Sequence, residues 1–260
     1  MLIRNYIKYL FIITALIACN QNVAAQSKRF LAKLDTNFQP DTLYYHDYLW
    51  EDFYDYNIAD IEFDITDYDQ DLLNASVFFA TNKYRSSKNK EPLKYSLELH
   101  KVAYNYAAFN HYKRFINNKK NNTKILKGLL SVCRTFHFTG SLVNANIAYP
   151  YAVDFNSKRK FYFDRKDEET VTQLFYGKRP KSKYYNKKKE PVLLDTYQSF
   201  AEKLVKEWHG RATKKKTKSK AYEYMACYII VEPKTVRKRR IPRARAIQIF
   251  GGYRISWDEE

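Results

Sequence analysis

Apolar and polar positions divide the chain into blocks with different periods. Over residues 67–85, Leu72, Leu73, Ala75, Ser76, Phe79, Ala80 and Lys83 recur at three-and-four spacings behind a run of acids, which predicts a helix. A loop over 86–92 follows. Ser96 then stands as an N-cap candidate for a second helix, with Leu99, Val102, Ala103, Tyr106, Ala107 and Asn110 on one face. That pattern fades into the polar run 117–122, and a shorter helix is expected over 123–133. Beyond it the pattern changes to strands over 143–151, 160–163, 222–231 and 244–249. The segment 195–208 interrupts them with an amphipathic stripe of Tyr197, Phe200, Ala201, Leu204, Val205 and Trp208. The Lys-rich segments 178–189 and 211–220 read as surface loops, and residues 26–58 have no clear period and read as an extended arm. Helices first, then a mixed run closing on two long strands, predict an α+β or three-layered α/β/α domain.

The N-terminus has a different character. Arg4 and Lys8 precede an apolar run over 10–18, too short to cross a bilayer as a helix, which needs about 20 residues. A positive start, a short apolar core and a small-residue exit make residues 1–25 a secretion signal; the flanks argue against an N-terminal core helix. Two exits are open. Val23-Ala24-Ala25 suits ordinary signal peptidase, whereas Leu16-Ile17-Ala18-Cys19 is similar to a lipobox in which Cys19 is acylated. The first releases the protein, and the second anchors it to a membrane of the cell envelope.

Charge is uneven. The formal net charge is +18. Residues 27–79 carry 3 Lys/Arg against 12 Asp/Glu, while residues 80–260 carry 41 against 16. An acidic leading segment is thus joined to a basic body. Export excludes nucleic acid as the partner and leaves an anionic surface glycan, a lipid headgroup or an acidic protein. Aromatic residues make up 17% of the chain, with 24 Tyr, which excludes a disordered polymer. Beyond Cys19 the only thiols are Cys133 and Cys227, so no disulfide scaffold exists; one bridge or two buried free thiols are both open. No CxxC or His-x-x-x-His spacing supports a zinc site.

Several short motifs, taken in order, resemble the CAP superfamily of cysteine-rich secretory, antigen 5 and pathogenesis-related proteins. Asn82-Lys-Tyr-Arg85 is similar to its Asn-x-x-Arg, and Glu91-Pro92-Leu93-Lys94-Tyr95 followed by Leu99 and Ala103 to its Pro-Leu-x-Trp/Tyr station. Asn144-Ala145-Asn146-Ile147-Ala148 resembles Gly-Glu-Asn-Ile-Ala, 195–208 the helix with Val-x-x-Trp, and 222–230 with Ala246-Ile-Gln-Ile-Phe250 the closing strands. The resemblance covers residues 67–254. It leaves 26–66 as an acidic arm and 255–260 as a tail. It implies an α/β/α sandwich with a central antiparallel sheet and a cleft that in the family holds two His and acidic residues able to bind a divalent metal. At the matching cleft positions this chain has Asn118, Ala145 and Lys214. A methyl group and a protonated Lys offer no lone pair, so neither a metal nor another cofactor is expected.

Displaced groups near that cleft have simpler accounts. His111, near the end of the second helix, and His209, beside Trp208, stand near the implied cleft; a solvent-facing or packed histidine is the plainer reading, as it is for His137. Glu202 and Glu207 could serve as acids but are more simply paired with Lys203 or Lys206. No Ser-His-Asp order or Gly-x-Ser-x-Gly elbow occurs. The remaining signal is basic: Lys214, Lys215, Lys216, Lys218 and Lys220; Lys187, Lys188 and Lys189; and Arg237, Lys238, Arg239 and Arg240 with Arg243 and Arg245 between the last two strands. The expected function is an exported, non-catalytic CAP-like domain that binds an anion through these loops. The alternatives are a lipid carrier, or a metal-dependent or hydrolytic activity using displaced residues.

Overall fold

The computed structural model describes residues 31–63, 67–108, 122–148, 161–165, 171–176, 196–209, 217, 219–236 and 239–253. The expected signal segment, with Cys19, and the tail 255–260 lie outside the described residues. Residues 1–38 and 39–260 form two compact units. In the first, Leu34 N–H donates to the Leu31 carbonyl and Asn37 N–H to Asp35. The remaining description concerns the second.

Two short helices open it, α1 (Leu43–Asp47) and α2 (Trp50–Asp55). They correct the expectation of an extended arm. Helices of five and six residues are too short to show a period in sequence, and they are held by packing: Phe53 is fully buried and stacks on Phe79 at 4.3 Å between centroids. Burying one such ring contributes about 1.5–3 kcal/mol.

The long helix α3 (Gln70–Ser86) begins at Asp69, whose Oδ1 accepts from the Asp71 and Leu72 amides, both at 2.9 Å. Leu72 to Asn82 is buried all round, so α3 is a central rod. Its polar positions are satisfied locally: Ser76 and Thr81 hydroxyls donate to carbonyls four residues back. A turn with Asn89 at φ 53° leads to the two-residue strand β1 (Lys94–Tyr95). Helix α4 (Leu97–Ala108) follows, with Ser96 Oγ accepting from Leu99 N–H as expected. Helix α5 (Asn122–Thr135) precedes strand β2 (Leu142–Ala148). Strands β3 (Phe161–Arg165) and β4 (Val171–Tyr176) pair with each other as a two-stranded sheet among the described residues. Helix α6 (Tyr197–His209) starts at Thr196, whose hydroxyl accepts from Ser199 N–H. Strands β5 (Tyr224–Val236) and β6 (Arg239–Gly252) complete the chain.

The main sheet has the order β1-β5-β6-β2 and belongs to the α/β class. It is mixed, which corrects the wholly antiparallel expectation. The chain enters β1 directly ahead of α4 and therefore runs parallel to β5, with Lys94 N–H bonded to Glu223 and Ser96 N–H to Met225. The other pairs are antiparallel. Strand alternation sends Met225, Cys227, Ile229, Gln248 and Phe250 towards α3 and α6, while Tyr228 and Arg245 meet α4 on the opposite face. Along β5, the side without a neighbouring strand is closed by α3 and the residues before it. Ile229 N–H donates to Asn74 Oδ1, Gln70 Nε2 donates to the Ile229 carbonyl, and Val231 N–H donates to Tyr68 Oη. Side chains thus take the place of a strand that would otherwise be needed to satisfy these groups.

Candidate functional site

The motif residues found in sequence converge in space. Asn82 clamps Leu93 through both backbone groups, donating to its carbonyl at 3.0 Å and accepting from its amide at 2.9 Å. Arg85, 2% exposed, donates Nε to the Glu91 carbonyl and Nη1 to the carbonyls of Thr217 and Ser219. One guanidinium therefore ties the end of α3 to two separate loops, which a Lys point charge could not reproduce with the same fork geometry. On the sheet, Gln248 donates to Thr81 Oγ1, and Asn146 donates to Gln248 Oε1 and Thr217 Oγ1. Asn146 is fully buried, and its Oδ1 has no protein partner among the described residues. Trp208 is buried beneath α6. These groups are neutral amides and hydroxyls, or an arginine spent on carbonyls. Their chemistry is to lock α3, β2, β6 and the 217–219 segment together; none is an acid or base suited to proton transfer.

Ala145, expected from the sequence as a cleft position, pairs with Ile249 on the α4 and α5 side of the sheet and is buried. Asn118, His111, Lys214, Lys215, Lys216 and Lys218, with the 187–189 cluster, lie outside the described residues. His209 closes α6, and its side chain also lies outside the description. Glu202 is exposed on α6. It pairs with Lys83 at 2.9 Å, both side chains being close to half exposed, and Lys83 Nζ sits 3.8 Å from the Tyr54 ring centroid. The carboxylate thus bridges α6 to α3, a pairing across helices that the expected neighbours Lys203 and Lys206 did not suggest. Glu207 is exposed on α6. His137 is an exposed turn residue at φ 64° where α5 ends.

One functional-looking histidine escapes a reading of the sequence. His100 on α4 is fully buried, with Nδ1 2.8 Å from Tyr95 Oη and Nε2 3.4 Å from Asn74 Nδ2. With the Asn74 amide donating to Nε2, Nδ1 carries the proton and donates to Tyr95. Burial depresses its pKa to about 3, so the ring stays neutral across the physiological range. Tyr45 stacks on Tyr95 at 3.9 Å and shields the group. A neutral imidazole with both nitrogens engaged and no exposure is a packing element. Its sequence signal was its position next to Leu99 on the buried stripe of α4.

The basic segment between the last strands is corrected most clearly. It is a continuous hairpin rather than a connecting loop. Val236 pairs with Arg239, Thr235 with Arg240, Lys234 with Ile241, Pro233 with Pro242 and Glu232 with Arg243. Its side chains beyond Glu232 and before Ala244 are outside the description, as are Arg237 and Lys238 entirely. The sequence concealed this strand because the prolines and charges read as breakers. Two prolines directly opposite one another are compatible with a free ribbon, where no third strand needs their N–H. Arg245 is withdrawn from the expected cationic set. It is 3% exposed, donates Nη1 to the Ala107 carbonyl at the end of α4, and pairs through Nη2 with Glu232 at 2.9 Å. Lys220 sits exposed in a turn ahead of β5.

Cys133 and Cys227 are both free and buried, on opposite faces of the sheet. Cys227 donates its thiol to the Asn74 carbonyl, and burial pushes the Cys133 thiol up to about 12 and raises Cys227 as well. Among the described residues no group of three or more His, Cys, Asp or Glu could hold a metal, and no helix is long and apolar enough to cross a membrane. No protein-family model matches the chain, no curated protein matches it, and no solved structure matches it.

Proposed function

We propose that the protein is an exported, CAP-like α/β/α domain that works by binding rather than catalysis, with an anionic surface polymer, lipid headgroup or acidic protein as its ligand. The observation that carries the CAP-like reading is the interlock of matched motif residues: Asn82 with Leu93, Arg85 with the 217–219 segment, and Asn146 with Gln248. Motifs that resemble a family in order are more telling when they also meet in space. The non-catalytic reading follows from residue chemistry. Ala145 and Lys214 stand where the family has a carboxylate and an imidazole, and His100 is neutral and sealed in the core. The anionic ligand follows from charge, since residues 80–260 carry 41 Lys/Arg against 16 Asp/Glu. Near an anionic surface each basic side chain contributes about 1 kcal/mol, so a cluster of five or six suffices for measurable binding.

Two measurements test this. Calorimetric titration with zinc and calcium is expected to give no stoichiometric heat; tight one-to-one binding would overturn the non-metal reading. Replacing Lys214, Lys215 and Lys216 together with Ala is expected to reduce co-sedimentation with anionic vesicles and retention on acidic polysaccharide. Unchanged retention on both would exclude the lysine loop from the binding face.

A further inference from the structure

The segment 39–63 combines two properties that its packing on α3 and α6 leaves unexplained. It contains seven Asp/Glu and no Lys or Arg, and all but Asp52 of those acids are exposed. Among the described residues six large hydrophobic side chains are exposed, and four of them fall here: Leu43 at 57%, Leu49 at 69%, Tyr56 at 70% and Ile61 at 53%. The inner side chains of the same segment, Phe53, Ala59 and Phe63, are buried, so the outward set is not a by-product of loose docking. Acids interspersed with exposed apolar groups suit a basic partner that also carries apolar side chains.

The β5–β6 ribbon has that complementary composition. Among the described residues β2 pairs with β6 only as far as Ala246, and residues 230–236 and 239–245 pair with each other beyond that point. Glu232, the sole acid over 230–245, is already paired with Arg245. By sequence the same segment carries Lys234, Arg239, Arg240 and Arg243 together with Val236 and Ile241, and the strand register pairs Lys234 with Ile241 and Val236 with Arg239. Pro233 and Pro242 have no N–H to offer another strand, so the ribbon meets a partner through side chains rather than by strand addition. The acids around the start of α3 do not reach its outer end. Tyr68, just ahead of α3, touches β5 at Val231, and Val236 lies five residues farther, about 17 Å at strand rise. That is roughly twice the Debye length at physiological salt.

We propose that the protein associates head to tail, with segment 39–63 of one copy docking on the β5–β6 ribbon of the next. The contact joins different surfaces of the two copies, so it propagates into short chains or closes into a ring. The ribbon is also available to the anionic ligand proposed above, and the two occupants compete.

Sedimentation velocity on the purified protein tests the idea. The weight-average sedimentation coefficient should rise with protein concentration at about 50 mM NaCl and fall to the monomer value at about 500 mM, where the Debye length is only about 4 Å. The variant Arg239→Glu/Arg240→Glu breaks the ribbon, and Leu49→Asp/Tyr56→Asp breaks the acidic segment; each alone should weaken association at least tenfold. Mixing the two should restore a one-to-one dimer that grows no further, because one intact surface of each kind remains. A wild-type monomer at every concentration and salt overturns the proposal, as does a mixture that stays monomeric. Acidic polysaccharide binding by the Leu49→Asp/Tyr56→Asp variant is read separately: its loss would count against the anionic-ligand reading, whereas its retention alongside a monomeric wild type would count against self-association alone.

Discussion

Replacing Asn74 with Leu should cost the domain more than any surface change, and the cost follows from its contacts. The side chain is fully buried in mid-helix, where Oδ1 accepts from Ile229 N–H at 3.0 Å and from Gln70 Nε2 at 3.1 Å, and Nδ2 faces His100 Nε2 at 3.4 Å. Leu fills nearly the same volume, so cavity formation is a minor term. The loss is polar. The Ile229 amide is left without a partner beside a closed helix face, at a cost of about 1–3 kcal/mol, and the His100 nitrogen is stranded for a similar amount. Allowing for partial relaxation, the variant should lose about 3–5 kcal/mol, equivalent to a fall of roughly 10 °C in Tm for a domain of this size. Urea unfolding followed by fluorescence measures it, with exchange of the Ile229 amide as a local readout. A variant within about 0.5 kcal/mol of wild type, or with Ile229 protection unchanged, would refute the claim that α3 seals the free side of β5.

Two further outcomes follow from the ionisable groups. Burial first, then the nearby Asp41 and Asp69 charges, raises the Asp71 carboxyl to about 6. A folded-state pKa above the unfolded value of about 4 means that stability falls as pH rises between those values and stays reduced above them. Asp71→Asn should therefore stabilise at pH 7.5 by about 1 kcal/mol, the figure being discounted because the group is about half exposed, with no gain below pH 4; equal effects at both pH values would contradict the assignment. Cys133 and Cys227, buried with raised thiol pKa values, should resist a thiol-reactive dye in the native protein and release two equivalents only on unfolding. Fast labelling of either at pH 8 would show that its site opens.

Where burial followed a strong period, the sequence was readable: α3, the Ser96 cap of α4, the apolar stripe of α6 and the inner halves of β5 and β6 all lie within a few residues of expectation. What escaped has physical causes. Helices α1 and α2 are too short to build a stripe and exist because Phe53 finds a socket against Phe79. The outer half of the β5–β6 ribbon is held by cross-strand pairing, and its Pro and Arg residues carry no strand signal alone. Asn74 and His100 look like surface residues until the fold buries them against each other. Arg245 is the converse case, counted with a basic cluster in sequence yet committed to the end of α4. The motif residues Asn82, Arg85, Asn146 and Gln248 were legible as residue types. Their roles as clamps were not, because the partners are either backbone groups that carry no residue-type signal, as Leu93 for Asn82, or lie far along the chain, as Thr217 for Arg85.

The central claim, that this domain works by binding an anion through its basic segments, is tested most directly by the salt dependence of its affinity for an acidic polysaccharide. Equilibrium binding should weaken linearly in log–log form as salt rises. Replacing Arg239, Arg240 and Arg243 together with Ala should lower the steepness by roughly one unit for each guanidinium that no longer meets an anionic group. Wild-type affinity that does not change with salt, or an identical slope in the ribbon variant, would contradict it.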